Sequence, residues 1–111
     1  MGRAEGVPEE GLMTASDVAA HLLGSCKSLA GFESYMFGST LNGVGRDIDI
    51  LVVGPDGEPL SKLKSELGVA AESLPLHLLY MLPSEANHTR FVAREKCVPL
   101  AYLAGYSESR V

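Results

Sequence analysis

The sequence predicts an α/β (α+β) domain in which a small mixed β-sheet is backed by helices on one face. Apolar residues recur at helical spacing in some segments and form short β-branched or aromatic runs in others. Turns rich in glycine and proline separate these segments. A chain of 111 residues, 46% hydrophobic and 21% charged, fits one globular domain. We therefore expect a flexible N-terminal tail over residues 1–13 and a single domain over residues 14–111.

The first half of this domain is predicted to contain one helix and two strands. Thr14 and Asp17 stand three apart, close to a capping box with Asp in place of Glu, and Gly31 is a plausible end for the helix that follows. Residues 32–37 alternate and are rich in aromatics, which favours a strand. Residues 47–53, "DIDILVV", become nearly continuous in aliphatic side chains, which is typical of a central strand covered on both faces.

The second half is predicted to contain two helices and two strands. Residues 60–74 place leucines on one helical face, although Gly68 weakens the prediction of an unbroken helix. "PLHLLYML" is predicted to be a strand, and the next segment a helix with Ser84 as N-cap and Glu85 in the first turn. "VPLAYLAG" is interpreted as a last short strand, which Pro99 would place at a sheet edge.

Charge and cysteine content exclude several classes of function. The formal net charge of −5 argues against tight, non-specific binding of nucleic acid, while leaving room for a small anionic ligand. No segment is long and apolar enough to span a membrane, and the N-terminus does not resemble a signal peptide, so we expect a cytoplasmic protein. Cys26 and Cys97 lack metal-site spacing and are expected to be reduced thiols.

The segment "FGSTLNGVGRDIDILVVG" sets two carboxylates at the head of the central strand. Side chains two apart on a strand point to the same face, so Asp47 and Asp49 are expected to project together. Two like charges in a partly desolvated position need a cation nearby. Mg²⁺ is the natural partner, because it binds carboxylate oxygens and keeps waters and substrate phosphates as its other ligands.

The Gly-Ser pair before these aspartates has the chemistry of a phosphate site. Gly38 permits a tight turn, and the Ser39 hydroxyl and nearby backbone N–H groups can meet a phosphate oxygen. Arg46 either contacts a phosphate or lies in solvent. A phosphate site joined to a carboxylate pair by one short loop is typical of nucleoside triphosphate chemistry.

"GS" followed by "DIDI" resembles the signature of the DNA polymerase β-like nucleotidyltransferase superfamily, and the chain's size resembles its minimal nucleotidyltransferases. The resemblance implies a nucleotidyltransferase-like fold and Mg²⁺-dependent transfer of a nucleoside monophosphate from an NTP to a hydroxyl of a protein, nucleic acid or small molecule. It implies that Gly38 and Ser39 hold phosphates and that Asp47 and Asp49 are catalytic metal ligands. Some minimal members are antitoxins paired with a helical HEPN toxin.

One position departs from the family's pattern. Active members usually carry a third carboxylate on a later strand, and the matching place here holds His77. Two hypotheses follow: an active enzyme in which His77 joins the catalytic residues, or a catalytically degenerate module that binds nucleotide or protein. Since little surrounds the catalytic core, a second copy of the chain or a helical, HEPN-like protein is expected as partner.

Overall fold

The computed structural model describes residues 14–42 and 47–105, so the predicted N-terminal tail lies outside the described residues. The helices in these ranges are α1 (Ala15–Ser25), α2 (Glu58–Ala70), α3 (Pro83–Thr89), α4 (Phe91–Arg94) and α5 (Leu100–Leu103). The strands are β1 (Glu33–Phe37), β2 (Ile48–Val53), β3 (Leu76–Met81) and β4 (Val98–Pro99), and two 3₁₀-helices span Lys27–Gly31 and Ser39–Asn42. None of these helices has both the length and the apolar character needed to cross a membrane.

The strands form one mixed sheet in the order β3-β2-β1-β4. β2 is parallel to β3 and antiparallel to β1, which in turn is antiparallel to β4. The predicted small mixed sheet is thus confirmed, and Pro99 lies on an edge strand as expected. The prediction that all of "VPLAYLAG" is strand is wrong beyond Pro99, because Leu100 is fully buried and α5 turns Leu103 toward the same core.

The main hydrophobic core lies between one face of the sheet and the helices. Strand side chains on this face pack with apolar side chains of α1 and α2; the fully buried ones include Met36, Ile50, Leu22, Leu63 and Leu67. The opposite face of β2 is also covered, since Leu51 and Val53 are buried there. The prediction of a central strand covered on both faces is thus confirmed.

The first helix begins as predicted and ends earlier than predicted. The Thr14 N–H donates to Asp17 Oδ2 at 3.2 Å, and the Asp17 N–H donates to Thr14 Oγ1 at 3.1 Å, which completes the capping box. α1 then ends at Ser25 rather than Gly31, and a 3₁₀-helix follows. Its Ser28 bonds through N–H and hydroxyl to a carboxylate of α2, which favours the tighter turn over a continued α-helix.

In the second half, one helix is unbroken at a position where a break was considered, and another helix begins earlier than predicted. α2 runs through Gly68 without a break. α3 begins with Pro83 after Leu82, so the prediction of Ser84 as N-cap is wrong. Proline favours the first helical position because its fixed φ suits the helix and its missing N–H would have no partner there. Glu85 is in the first turn as predicted, and its Oε1 accepts the Leu82 N–H at 2.8 Å.

Candidate active site

The candidate site begins where β1 ends. Gly38 follows Phe37 with a φ of +85°, a conformation that favours glycine. A Cβ placed on Gly38 would overlap Oδ2 of Asp49. Glycine is therefore required here for two reasons, its backbone conformation and the space that the Asp49 carboxylate occupies.

Strand register places Asp49 at the centre of this site. In β2, Asp49 is paired with Phe37 of β1 on one side and with His77 of β3 on the other. Its side chain is 24% exposed, whereas the flanking Ile48 and Ile50 are buried on the opposite face. Because side chains alternate along a strand, the Asp49 carboxylate points away from the aliphatic core that contains Ile48 and Ile50.

A hydrogen bond joins Asp49 to His77. The distance from His77 Nδ1 to Asp49 Oδ1 is 2.9 Å. Because an ionised carboxylate only accepts, Nδ1 carries the proton, and in the neutral ring Nε2 keeps its lone pair. The His77 side chain is 77% exposed, so packing constrains the orientation of the ring little.

The structure brings together some of the predicted site residues. Asp49 lies close to both Gly38 and His77, one at each oxygen of its carboxylate. Ser39 is exposed at the start of the second 3₁₀-helix, and Asp47 is exposed immediately before β2. Arg46 lies outside the described residues. Roles in catalysis, metal binding and phosphate binding stay predictions for all six residues.

The carboxylate oxygens of Asp47 and Asp49 are donors of the type that Mg²⁺ prefers, but two side chains supply only part of its ligands. In the described ranges, no three His, Cys, Asp or Glu side chains are grouped so that they could hold a metal ion. Asp47 and Asp49 offer the carboxylate oxygens that Mg²⁺ prefers, and Mg²⁺ sites often use one or two carboxylates with substrate phosphates and waters. These two residues would therefore hold the ion only together with a substrate or with several waters.

One neighbour of the site was missed by sequence reasoning. The Phe91 ring of α4 packs edge-to-face on Phe37, with ring centroids 5.2 Å apart and an interplanar angle of 85°. Phe37 shares a face with Asp49 through their register pairing, so this aromatic pair borders the carboxylate. Arg94 also lies over the Phe91 ring, with its guanidinium carbon 5.9 Å from the ring centroid. The position of Phe91 in a predicted helix did not indicate its contact with Phe37, because that contact depends on the path of the chain after α3.

A second concave region lies away from this site. A groove of about 870 Å³ is lined by Ser28 of the first 3₁₀-helix, by Phe32 just after that helix, and by Pro59 and Lys62 of α2. Neither Asp49 nor His77 lines it. Among the described residues, this groove and the candidate site are therefore separate.

Comparison with known proteins supplies the family. Residues 20–100, more than half of the chain, match the family model described as nucleotidyltransferase domain. The matched range contains β1, the Gly-Ser pair, both aspartates and His77. No curated protein and no solved structure matches the chain. The four-stranded mixed sheet and the family match together show that this chain belongs to the nucleotidyltransferase domain family.

Proposed function

We propose that this domain binds a nucleoside triphosphate and transfers its nucleoside monophosphate to a hydroxyl group of a protein, a nucleic acid or a small molecule. One observation carries the proposal: Asp49 is presented on β2 between the Gly38 turn and His77, inside a nucleotidyltransferase domain. A half-buried carboxylate beside a glycine turn is suited to a site that handles phosphates and a cation.

The proposed reaction is a phosphoryl-group displacement. The hydroxyl oxygen of the acceptor bonds to the α-phosphorus, the bond from that phosphorus to the bridging oxygen of the β-phosphate breaks, and pyrophosphate leaves. The acceptor's proton passes to His77, while Gly38 and Ser39 position the phosphates. Asp47 and Asp49 would hold Mg²⁺, which when bound neutralises charge on the transferring group.

A second candidate function is a module that binds nucleotide or protein without turnover. Two observations favour it: an imidazole stands where active relatives usually carry a carboxylate, and the described residues contain no metal-binding group of three. Imidazole is a poorer ligand for Mg²⁺ than a carboxylate oxygen. Such a module would keep the fold and the Gly-Ser turn and would lack pyrophosphate release.

A labelled-nucleotide assay separates the two candidates. The chain is incubated with each of the four NTPs labelled at the α-phosphate, with and without Mg²⁺, and both label transfer and pyrophosphate are measured. Binding of the same NTPs is measured by calorimetry. An enzyme releases pyrophosphate in the presence of Mg²⁺, whereas a binding module shows calorimetric binding without release.

Two variants test whether turnover or binding depends on this site. Asp49→Asn keeps the shape of the side chain and removes its charge, so it should abolish Mg²⁺-dependent turnover or binding. Asp56→Asn makes the same chemical change in the exposed loop after β2 and should leave both unchanged. Turnover that survives Asp49→Asn unaltered would remove the site from the reaction.

The partner is a further part of the proposal. A second copy of this chain or a helical, HEPN-like protein would complete the surroundings of a small catalytic core. Light scattering of the purified chain at several concentrations distinguishes a self-associating protein from a monomer. A strict monomer that recovers no helical partner by pull-down would contradict this part.

A further inference from the structure

Each oxygen of the Asp49 carboxylate already has a close neighbour inside the protein. Oδ1 accepts the His77 Nδ1–H at 2.9 Å, and Oδ2 lies against the Gly38 backbone, where a Cβ would not fit. A metal ion that approaches Oδ1 along the direction of the hydrogen bond must displace the imidazole proton. The carboxylate that the proposed function needs is therefore engaged by a side chain of the same molecule.

The hydrogen bond between His77 and Asp49 is strong enough to affect metal binding and weak enough to be broken by it. It joins a carboxylate to an imidazole N–H, which makes it a charge-assisted bond. The His77 side chain is 77% exposed, so the ring can turn into solvent at little cost beyond this bond. Net contributions of partly exposed hydrogen bonds are modest, because water replaces the lost partner.

We propose that His77 competes with Mg²⁺ for Oδ1 of Asp49, so that metal binding is weakened while the imidazole N–H donates to that oxygen. His77 thus acts as an internal competitor and not as a third metal ligand. This proposal rests on the proposed function, in which Asp49 is a metal ligand. In the metal-free protein, His77 occupies Oδ1 of Asp49. Once the ring is released, His77 can still accept the proton of the acceptor hydroxyl.

The chemistry of the metal favours competition over ligation. Mg²⁺ prefers oxygen ligands and near-ideal octahedral geometry, whereas imidazole nitrogen suits later transition metals. In the described part of the chain, His77 and Asp49 also lack a third grouped donor that would hold an ion between them. A proton is therefore the better bridge between these two side chains in the absence of substrate.

Mg²⁺ titrations of the full chain test the proposal at one fixed neutral pH. Binding is followed by the amide NMR signals of Ile48, Asp49 and Ile50, and the His77 ring nitrogen signals are recorded in parallel. The variant is His77→Ala, and the matched control is His88→Ala, which removes an exposed imidazole from α3. Urea unfolding of each protein checks that the fold is retained.

The expected result is an increase of Mg²⁺ affinity by about 2- to 10-fold in His77→Ala, the range that corresponds to one modest hydrogen bond. His88→Ala should bind as the wild type does. In the wild type, Mg²⁺ should shift the ring nitrogen signals of His77 and leave those of His88 in place.

Three outcomes would overturn the proposal in distinguishable ways. Equal affinity in His77→Ala shows that the hydrogen bond does not compete with metal, and lower affinity shows that His77 is a ligand. In both cases a loss of binding in Asp49→Asn leaves the proposed function standing. If no protein in the series responds to Mg²⁺, the competition and the metal-dependent function fall together.

Discussion

Glu66 of α2 accepts two hydrogen bonds from Ser28, at 2.9 Å from the backbone nitrogen and 2.8 Å from the hydroxyl oxygen. The two residues are 38 positions apart, and their bonds tie the first 3₁₀-helix to the middle of α2. The backbone N–H of Ser28, and then its hydroxyl, hold the pKa of the Glu66 carboxyl below its usual range. The connection between helix and turn is therefore sensitive to acid.

We expect Glu66→Gln to destabilise the protein at neutral pH and to have little effect in acid. A carboxyl whose pKa is lowered by folding contributes stability above its unfolded pKa, and this contribution is lost as the pH falls through the folded pKa. Urea unfolding of wild type and variant across the acidic range measures the difference. Glu72→Gln, in the exposed turn after α2, serves as control. A difference that stays constant down to the lowest pH would contradict the prediction.

We expect Gly38→Ala to destabilise the protein and to move the Asp49 carboxylate. The φ of +85° is unfavourable for alanine by about 1–2 kcal/mol, and the added Cβ would overlap Asp49 Oδ2. Urea unfolding measures the first effect, and the chemical shift of the His77 ring nitrogens reports the second.

The matched control for this substitution is Gly68→Ala in α2. A Cβ at Gly68 meets no heavy atom within 4 Å, and glycine is unfavourable inside a helix by about 1 kcal/mol relative to alanine. The same chemical change should thus stabilise the protein at position 68 and destabilise it at position 38. Equal effects at the two positions would show that the Gly38 turn carries no special constraint.

We expect His77→Asp to bind Mg²⁺ more tightly than the wild type and, if the domain is an enzyme, to retain or raise turnover. The substitution places a second carboxylate beside Asp49, its register partner. Without metal, the two like charges repel, and a bound cation relieves this repulsion. The increase in thermal midpoint on adding Mg²⁺ should therefore be larger for His77→Asp than for wild type.

His88→Asp provides the comparison, since it makes the same change on an exposed helix. Its thermal midpoint should respond to Mg²⁺ as the wild type does. If His77→Asp shows no larger response than His88→Asp, position 77 does not belong to a metal site.

We expect Cys97 to react slowly with iodoacetamide in the folded protein. Burial, and to a lesser degree the Glu95 carboxylate, raise the pKa of the Cys97 thiol to about 11. Because the thiolate is the reactive form, the rate near pH 8 should be about 100-fold below that of the unfolded chain. Peptide mass spectrometry after timed alkylation measures the rate at each cysteine. Glu95→Gln should increase it modestly, and an unfolded-like rate in the native protein would contradict the burial of this thiol.

Local patterns in the sequence were sufficient for most of the secondary structure. Three local patterns were enough: the capping residues Thr14 and Asp17, the continuous aliphatic run of β2 and the helical spacing of the leucines in α2. The end of α1 could not be predicted in this way, because the competing turn is held by Glu66, far along the chain. A bond between distant segments leaves no trace in the spacing of nearby residues.

The candidate site was predicted in part for the same reason. The Gly-Ser pair and the acidic strand are contiguous in sequence, and the family resemblance indicated the strand of His77. The 2.9 Å bond to Asp49 depends on the register between two parallel strands, which the crossover through α2 sets. The aromatic border formed by Phe91 depends on the turn at Arg90, which adopts a left-handed conformation with φ of +54°.

The exposure of His77 has a consequence for how this domain can change over generations. A side chain that is 77% exposed contributes little to folding, and surface substitutions usually alter stability by no more than about 0.5 kcal/mol. A histidine codon becomes an aspartate codon through a single base change. A single base change would therefore place a carboxylate beside Asp49, at a position whose own packing contributes little to the scaffold.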